Sequence, residues 1–152
     1  MPDDLGFQLL NILQTEGRIS NAEPSRRVSL SQPAVHHRML RLERLGYIRQ
    51  YVALLDREKI GYDLICFISV DIQLHQPDQV LNFRRVVAQM PEVLECFHIT
   101  GEHDYLLKVV LRNRKDLELF VVDKLTPIPG IARIQTSLVL SEVKSTTSLA
   151  LD

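Results

Sequence analysis

The chain has 152 residues, with 18 Lys+Arg against 19 Asp+Glu, two Cys, no Trp and 45% apolar residues. That is enough for one ordinary domain or two small ones, and its balance of apolar and charged residues excludes wholesale disorder. No apolar run approaches the roughly 20 residues a bilayer span needs. Met1-Pro2-Asp3-Asp4 has neither the basic nor the apolar part of a secretory signal, and Cys66 and Cys96 form no disulfide framework or zinc spacing. A cytoplasmic protein without metal or cofactor is expected, its two thiols buried and inert.

The first helix is marked by Leu5, Leu9, Ile12 and Leu13 at i, i+4, i+7 and i+8, and Gly17 stops it. Ser20-Asn21-Ala22-Glu23 reads as a capping box opening a short second helix that ends near Val28. With Ser20 as the cap, Pro24 falls at the fourth helical position and removes a backbone hydrogen bond, so a late start or loose packing is expected there. Ser29 stands in the following turn, which needs either a residue tolerating positive φ or a different turn. Ser31 caps a third helix, with Pro33 in its first turn. At about 100° per residue, Val35, Met39 and Leu42 share the inner side. Pro33, His37, Leu40, Arg41 and Arg44 point outward, flanked by Gln32, His36 and Arg38. Gly46 ends the helix, and Tyr47 to Leu54 is strand-like.

This order is that of a winged helix-turn-helix. Charge agrees: residues 18–49 hold seven Arg against Glu23 and Glu43, and residues 1–60 carry +2 against −3 for residues 61–152. The near-neutral total is therefore a cancellation between a basic head and an acidic body. A recognition helix enters the major groove with its polar face on bases and phosphates. Gln32 suits adenine, and Arg or His suits guanine or phosphate. His36 and His37 diverge by about 100° on a helix, so they do not chelate one metal together. A three-helix bundle with a merely solubilising Arg face is the bland alternative. The polar stretch around Asp56–Asp63 places a boundary near residue 60, giving domains 1–60 and 61–152.

Beyond it the period changes from helical to two. Leu64 to Leu74 has apolar residues at every even position, while Ile65, Phe67, Ser69, Asp71 and Gln73 occupy the other face. Pro77 opens a helix with the stripe Val80, Phe83, Val87 and Met90. Strands follow at Val93–Thr100 and Tyr105–Leu111 around a Gly101–Asp104 turn. Asp116 opens a second helix with Leu117, Phe120 and Val121 inward, and Ile131–Val143 is the last strand. The order βαββαβ is that of a ferredoxin-like α+β domain, which leaves one sheet face without helices. Ile65 and Phe67 on that face predict dimerisation through the sheet, and a two-fold molecule suits a palindromic operator.

Gly17-Arg18-Ile19-Ser20-Asn21, Leu42-Glu43-Arg44-Leu45-Gly46-Tyr47-Ile48, Tyr51–Asp56, Pro91–Cys96, Thr100–Lys108 and Glu142-Val143-Lys144 together resemble the Lrp/AsnC (leucine-responsive/asparagine-responsive) regulators over nearly the whole chain. The resemblance implies a winged helix-turn-helix joined to a ferredoxin-like (RAM-type) effector domain, binding double-stranded DNA and an amino acid. It further implies dimers that assemble, commonly into octamers, with an effector site between dimers. The residues it assigns there are Gly101, Glu102, His103, Asp104 and Tyr105, with Thr136 and Ser137 of the last strand. A turn with free N–H groups suits a carboxylate, and Asp104 suits an α-amino group.

Two other functions fit parts of the chain. His98, Glu102, His103 and Asp104 form a polar cluster, and sirohaem decarboxylases share this fold and use histidines on haem. Fold alone therefore does not decide function. A ligand-binding assembly module with a weak DNA head is the third possibility, resting on Pro24.

Overall fold

A computed structural model describes residues 1–73 and 76–151, so Leu74, the expected end of the first strand, lies outside the described residues. The chain forms two compact units. One gathers Met1–Leu54 with the tail from Lys144, and the other is Leu55–Val143, against the expected edge near residue 60.

The first unit holds α1 (Asp4–Thr15), α2 (Ala22–Arg27) and α3 (Gln32–Arg44) around Leu9, Val28, Val35 and Leu42. Asp3 caps α1 by accepting from the Gly6 N–H at 2.9 Å. Ser20 does not cap α2: Asn21 occupies the cap position, and Glu23 pairs with Arg26 and Arg27 instead. The one-residue shift puts Pro24 at the third helical position, whose N–H has no intrahelical acceptor in any case. The first helical bond runs from the Ser25 N–H to the Asn21 carbonyl at 3.3 Å. Pro24 therefore costs no hydrogen bond, and it is fully buried rather than loosely packed. Ser29 does adopt the left-handed conformation, at φ +54°. Ser31 caps α3 through the Ala34 N–H, and Gly46 ends it at φ +77° while the Tyr47 N–H reaches back to the Leu42 carbonyl.

Tyr47–Leu54 forms no strand. A strand needs a neighbour for its N–H and C=O groups, and no strand of the described residues pairs with it. Tyr51, Val52, Leu54 and Leu55 are exposed.

The second unit is an antiparallel sheet of order β2-β3-β1-β4, built from β1 (Leu64–Ile72), β2 (Val93–His98), β3 (Tyr105–Leu111) and β4 (Ile131–Leu138). This is the expected βαββαβ arrangement. α4 (Pro77–Val87) inserts Phe83 and Val87, both at most 1% exposed, over Cys66, Ile68, Val70, Leu107 and Val109. The last helical segment begins earlier than Asp116. α5 (Arg114–Leu119) is capped by Asn113, which accepts from the Asp116 N–H at 3.0 Å, and it widens into a π turn over Phe120–Leu125. β4 ends at Leu138 instead of Val143 and β2 at His98 instead of Thr100. Beyond Leu138 the Val139 N–H still reaches β1, at the Ile65 carbonyl.

On the helix-free face Ile65 is buried within the chain, whereas Phe67 and Phe97 remain exposed beside half-buried Leu106. Cys66 is buried and burial pushes its thiol pKa up, but Cys96 is exposed because β2 is an edge strand. Among the described residues no helix is long and apolar enough to cross a membrane.

Candidate functional site

Two sites come out of this framework, one on each unit. On α3 the buried stripe Val35 and Leu42 turns the opposite side outward, and Gln32, Pro33, His36, His37, Leu40, Arg41 and Arg44 are all exposed. Arg41 and Arg44 make no ion pair among the described residues, so both guanidinium groups are free for an anionic partner. Arg38 is different. Its Nη1 holds both oxygens of Asp3, at 3.0 and 2.8 Å, and the side chain is only one-third exposed. That hydrogen bond is the main reason the Asp3 carboxyl sits below its ordinary pKa, aided by the Gly6 N–H. Arg38 thus ties α3 to the cap of α1, a role that charge counting along the helix did not separate from DNA contact. His36 Nδ1 lies 3.4 Å from Asn21 Nδ2, linking α3 to the start of α2.

The second site is the turn between β2 and β3. Gly101 takes φ +117°, a conformation that side chains disfavour. Asp104 closes the turn twice: its carbonyl accepts the Ile99 N–H at 2.9 Å, and its Oδ2 accepts the Ile72 N–H at 2.8 Å. The second bond satisfies a donor freed by the bulge between Asp71 and Ile72. Asp71 Oδ1 accepts the Asp104 N–H at 3.2 Å and lies 3.1 Å from His103 Nδ1. Glu102 extends toward Arg133 Nη1, 3.5 Å away on β4. The N–H groups of Gly101, Glu102 and His103 donate to no acceptor among the described residues.

The turn therefore brings together Gly101, Glu102, His103 and Asp104, and it adds Asp71 and Arg133, which the sequence reading did not include. Asp71 was visible as the first charged residue on its strand face. Arg133 shares that face because it pairs with Asp71 across β1 and β4. Tyr105 goes elsewhere: its side chain is buried in the helix layer, and its hydroxyl accepts from Arg84 Nε at 2.7 Å. Thr136 and Ser137 stand opposite Ile68 and Phe67, so their side chains take opposite faces of the sheet. They lie about 10 and about 14 Å along β4 from Arg133, at about 3.4 Å per residue. Within one chain they do not join the turn. His98 and His103 also part company, since His98 stacks on Tyr105 at 4.9 Å while His103 meets Asp71.

Residues 65–149 match a family profile described as Lrp/AsnC ligand binding domain, and residues 2–49 match one described as winged helix-turn-helix DNA-binding. The chain belongs to the Lrp/AsnC family. The leucine-responsive regulatory protein of Rhizobium meliloti is 37% identical over 93% of this chain and 91% of its own length. That of Escherichia coli K12 is 34% identical over 98% of this chain and 91% of its own length. The fold agrees with the crystal structure of a transcriptional regulator from Neisseria meningitidis in complex with L-Met. That structure has a TM-score of 0.96 and 40% identity, covering 100% of this chain and 98% of the other. As an Lrp/AsnC member this protein is a transcriptional regulator, with a DNA-binding helix-turn-helix head and a ligand-binding body. Its relatives are named as regulators, not as enzymes.

Proposed function

We propose that this regulator docks the outer face of α3 in the major groove of a palindromic operator, acts in the cytoplasm, and adjusts its assembly and DNA affinity to a bound amino acid. Gln32, His36, His37, Arg41 and Arg44 read bases and phosphates, with Pro33 packed at the groove edge. Arg38 positions the helix. The amino acid lies on the Gly101–Asp104 turn.

The observation that carries the effector site is the set of N–H groups at Gly101, Glu102 and His103 without acceptors among the described residues, on a turn whose Glu102 reaches Arg133. Such a nest takes a carboxylate. The α-ammonium then meets Asp71 or the free oxygen of Asp104. The distance of Thr136 and Ser137 from the turn supports a site completed by the β4 of another copy, which ties occupancy to assembly. The related Neisseria meningitidis regulator holds L-Met, which makes methionine the first ligand to test.

Titration calorimetry of the full chain with L-methionine and the other amino acids, repeated on Arg133→Ala, tests the effector site. An undiminished heat of binding in the variant would sink it. Phe67→Glu places a charge on the exposed sheet face and is expected to lower the mass seen by sedimentation while the fold persists. A variant of unchanged mass would remove that face from the assembly.

A further inference from the structure

The DNA-binding head is not built from one stretch of chain. Met1–Leu54 forms it together with the segment from Lys144, so the chain passes between the two compact units twice, after Leu54 and again after Val143. The contact that holds this segment on the head is specific. Gln14, near the end of α1, has one amide acceptor and one NH2 donor group, and both are used on Leu149. Its Nε2 donates to the Leu149 carbonyl at 2.7 Å, and its Oε1 accepts the Leu149 N–H at 2.8 Å, between residues 135 apart in the chain. The side chain thus imitates one bridge of a β ladder. Asn11, one turn earlier, fixes the Gln14 amide by accepting from Nε2 at 3.0 Å, and its own Nδ2 donates to the Leu151 carbonyl at 3.4 Å.

Core packing does not explain this contact. The Leu149 side chain is 70% exposed, so the segment is held by its backbone groups and not by burying its leucine. Simple charge does not explain it either, since the sole charged side chain in residues 145–152 is that of Asp152. Asn11 and Gln14 lie on the side of α1 away from Leu9, which packs with Val35 and Leu42 of α3. The same helix is capped by Asp3, the partner of Arg38. The segment therefore grips the one helix that is tied to the recognition helix by both core and cap.

We propose that Lys144–Leu151 is a strap, which fastens the DNA-binding head to the ligand-binding body at a second point and so pre-orders the head for DNA. Given the two-headed docking on a palindromic operator proposed above, both heads must give up orientational freedom when they engage together. A head held by the stretch around Leu54 alone gives up more of it than a head held at two points, so the strap removes part of that cost before binding. The strap does not depend on the effector turn.

The test is fluorescence anisotropy on a palindromic duplex selected by the parent chain and on a duplex carrying one half-site. The parent is compared with Gln14→Ala, with a chain ending at Lys144, and with the two changes combined. Each change is expected to weaken binding to the full operator about three- to tenfold and to leave half-site binding at the parent level, because the head itself is intact. The combination should be no weaker than the shortened chain, since both changes remove one contact. Charge predicts the opposite sign, because shortening removes the anionic Asp152. Thr15→Ala is the control: its hydroxyl bonds to the Asn11 and Ile12 carbonyls of its own helix, and it should bind as the parent does. The shortened chain decides the matter if Gln14→Ala does not fold. Parent affinity for the full operator in the variants, additive losses, or an equal loss on the half-site overturns the strap. Equal affinity of the parent for the two duplexes instead overturns the two-headed docking.

Discussion

Arg41 and Arg38 are three residues apart on one helix, and the structure assigns them different work, which a paired substitution separates. Arg41 is exposed and makes no ion pair among the described residues, while Arg38 holds Asp3 with two bonds. If Arg41 contacts a phosphate, Arg41→Ala removes one released counterion and reduces the salt slope of log K by about 0.9. Between 50 and 200 mM salt that changes the ratio of parent to variant affinity by about 3.5-fold. If Arg41 reads a base edge, the loss is about 1–3 kcal/mol at fixed salt and falls chiefly on the cognate operator. Arg38→Ala leaves the slope unchanged and shows itself in thermal unfolding, because what it loses is the tie between α3 and the α1 cap. Fluorescence anisotropy on operator and scrambled duplexes across that salt range measures the slope and the affinities, and a thermal melt measures the Arg38 loss. A normal slope and affinity for Arg41→Ala, with the slope deficit in Arg38→Ala, would refute the division of roles.

The same Asp3–Arg38 pair gives a pH signature. The Asp3 pKa is lowered in the folded chain, so its contribution is complete above the unfolded value near 3.8 and is lost as pH falls through the folded value. The stability gap between parent and Arg38→Ala should therefore be flat from neutral pH to about 5 and close below about 4, as urea midpoints at each pH would show. Phe83 is fully buried against Tyr105, with ring centroids 4.9 Å apart, and Phe83→Ala should cost about 3–5 kcal/mol in urea unfolding. Asp104→Ala orphans the Ile72 N–H and should cost about 1–3 kcal/mol, whereas Asp104→Asn, which keeps an acceptor, should recover most of it. Equal losses in the two Asp104 variants would count against the hydrogen bond.

What could be read from residues alone was whatever depends on local period and turn chemistry. Val80, Phe83 and Val87 recur at helical spacing and do face the core, and Tyr105–Leu111, an apolar run bounded by a turn, is a strand of those bounds. Gly46 and Ser29 announced their turns because few conformations end a helix so abruptly. Some misreadings were local, as at the Ser20 cap, but the larger ones depended on a partner distant in sequence. Tyr47–Leu54 is rich in strand-forming residues, but composition does not say that a neighbouring strand exists. Cys96 sits in an apolar run, yet β2 is an edge strand and leaves it uncovered. Arg38 resembles its Arg neighbours until Asp3, thirty-five residues earlier, is seen beside it. In the effector turn, Arg133 became a candidate only through the β1–β4 register.

Three unfinished features of the single chain bear on its regulation together. Tyr51, Val52, Leu54 and Leu55 lie exposed in a stretch patterned for pairing, Phe67 and Phe97 lie exposed on the helix-free face, and Thr136 and Ser137 stand away from the turn. A soluble chain rarely leaves contiguous apolar surface open unless something binds it. Under the proposed function one occupant, a second copy, answers all three. A self-complementary sheet contact follows two-fold symmetry, and two-fold symmetry presents two α3 helices to one operator. Further copies bring other β4 strands to the turn. An amino acid held there changes the balance among assemblies only by the difference in its affinity for each. On that proposal, free N–H groups at 101–103 in the isolated chain, with the 136–137 pair elsewhere, would make that difference large, since assembly would complete a site that one chain supplies only in part.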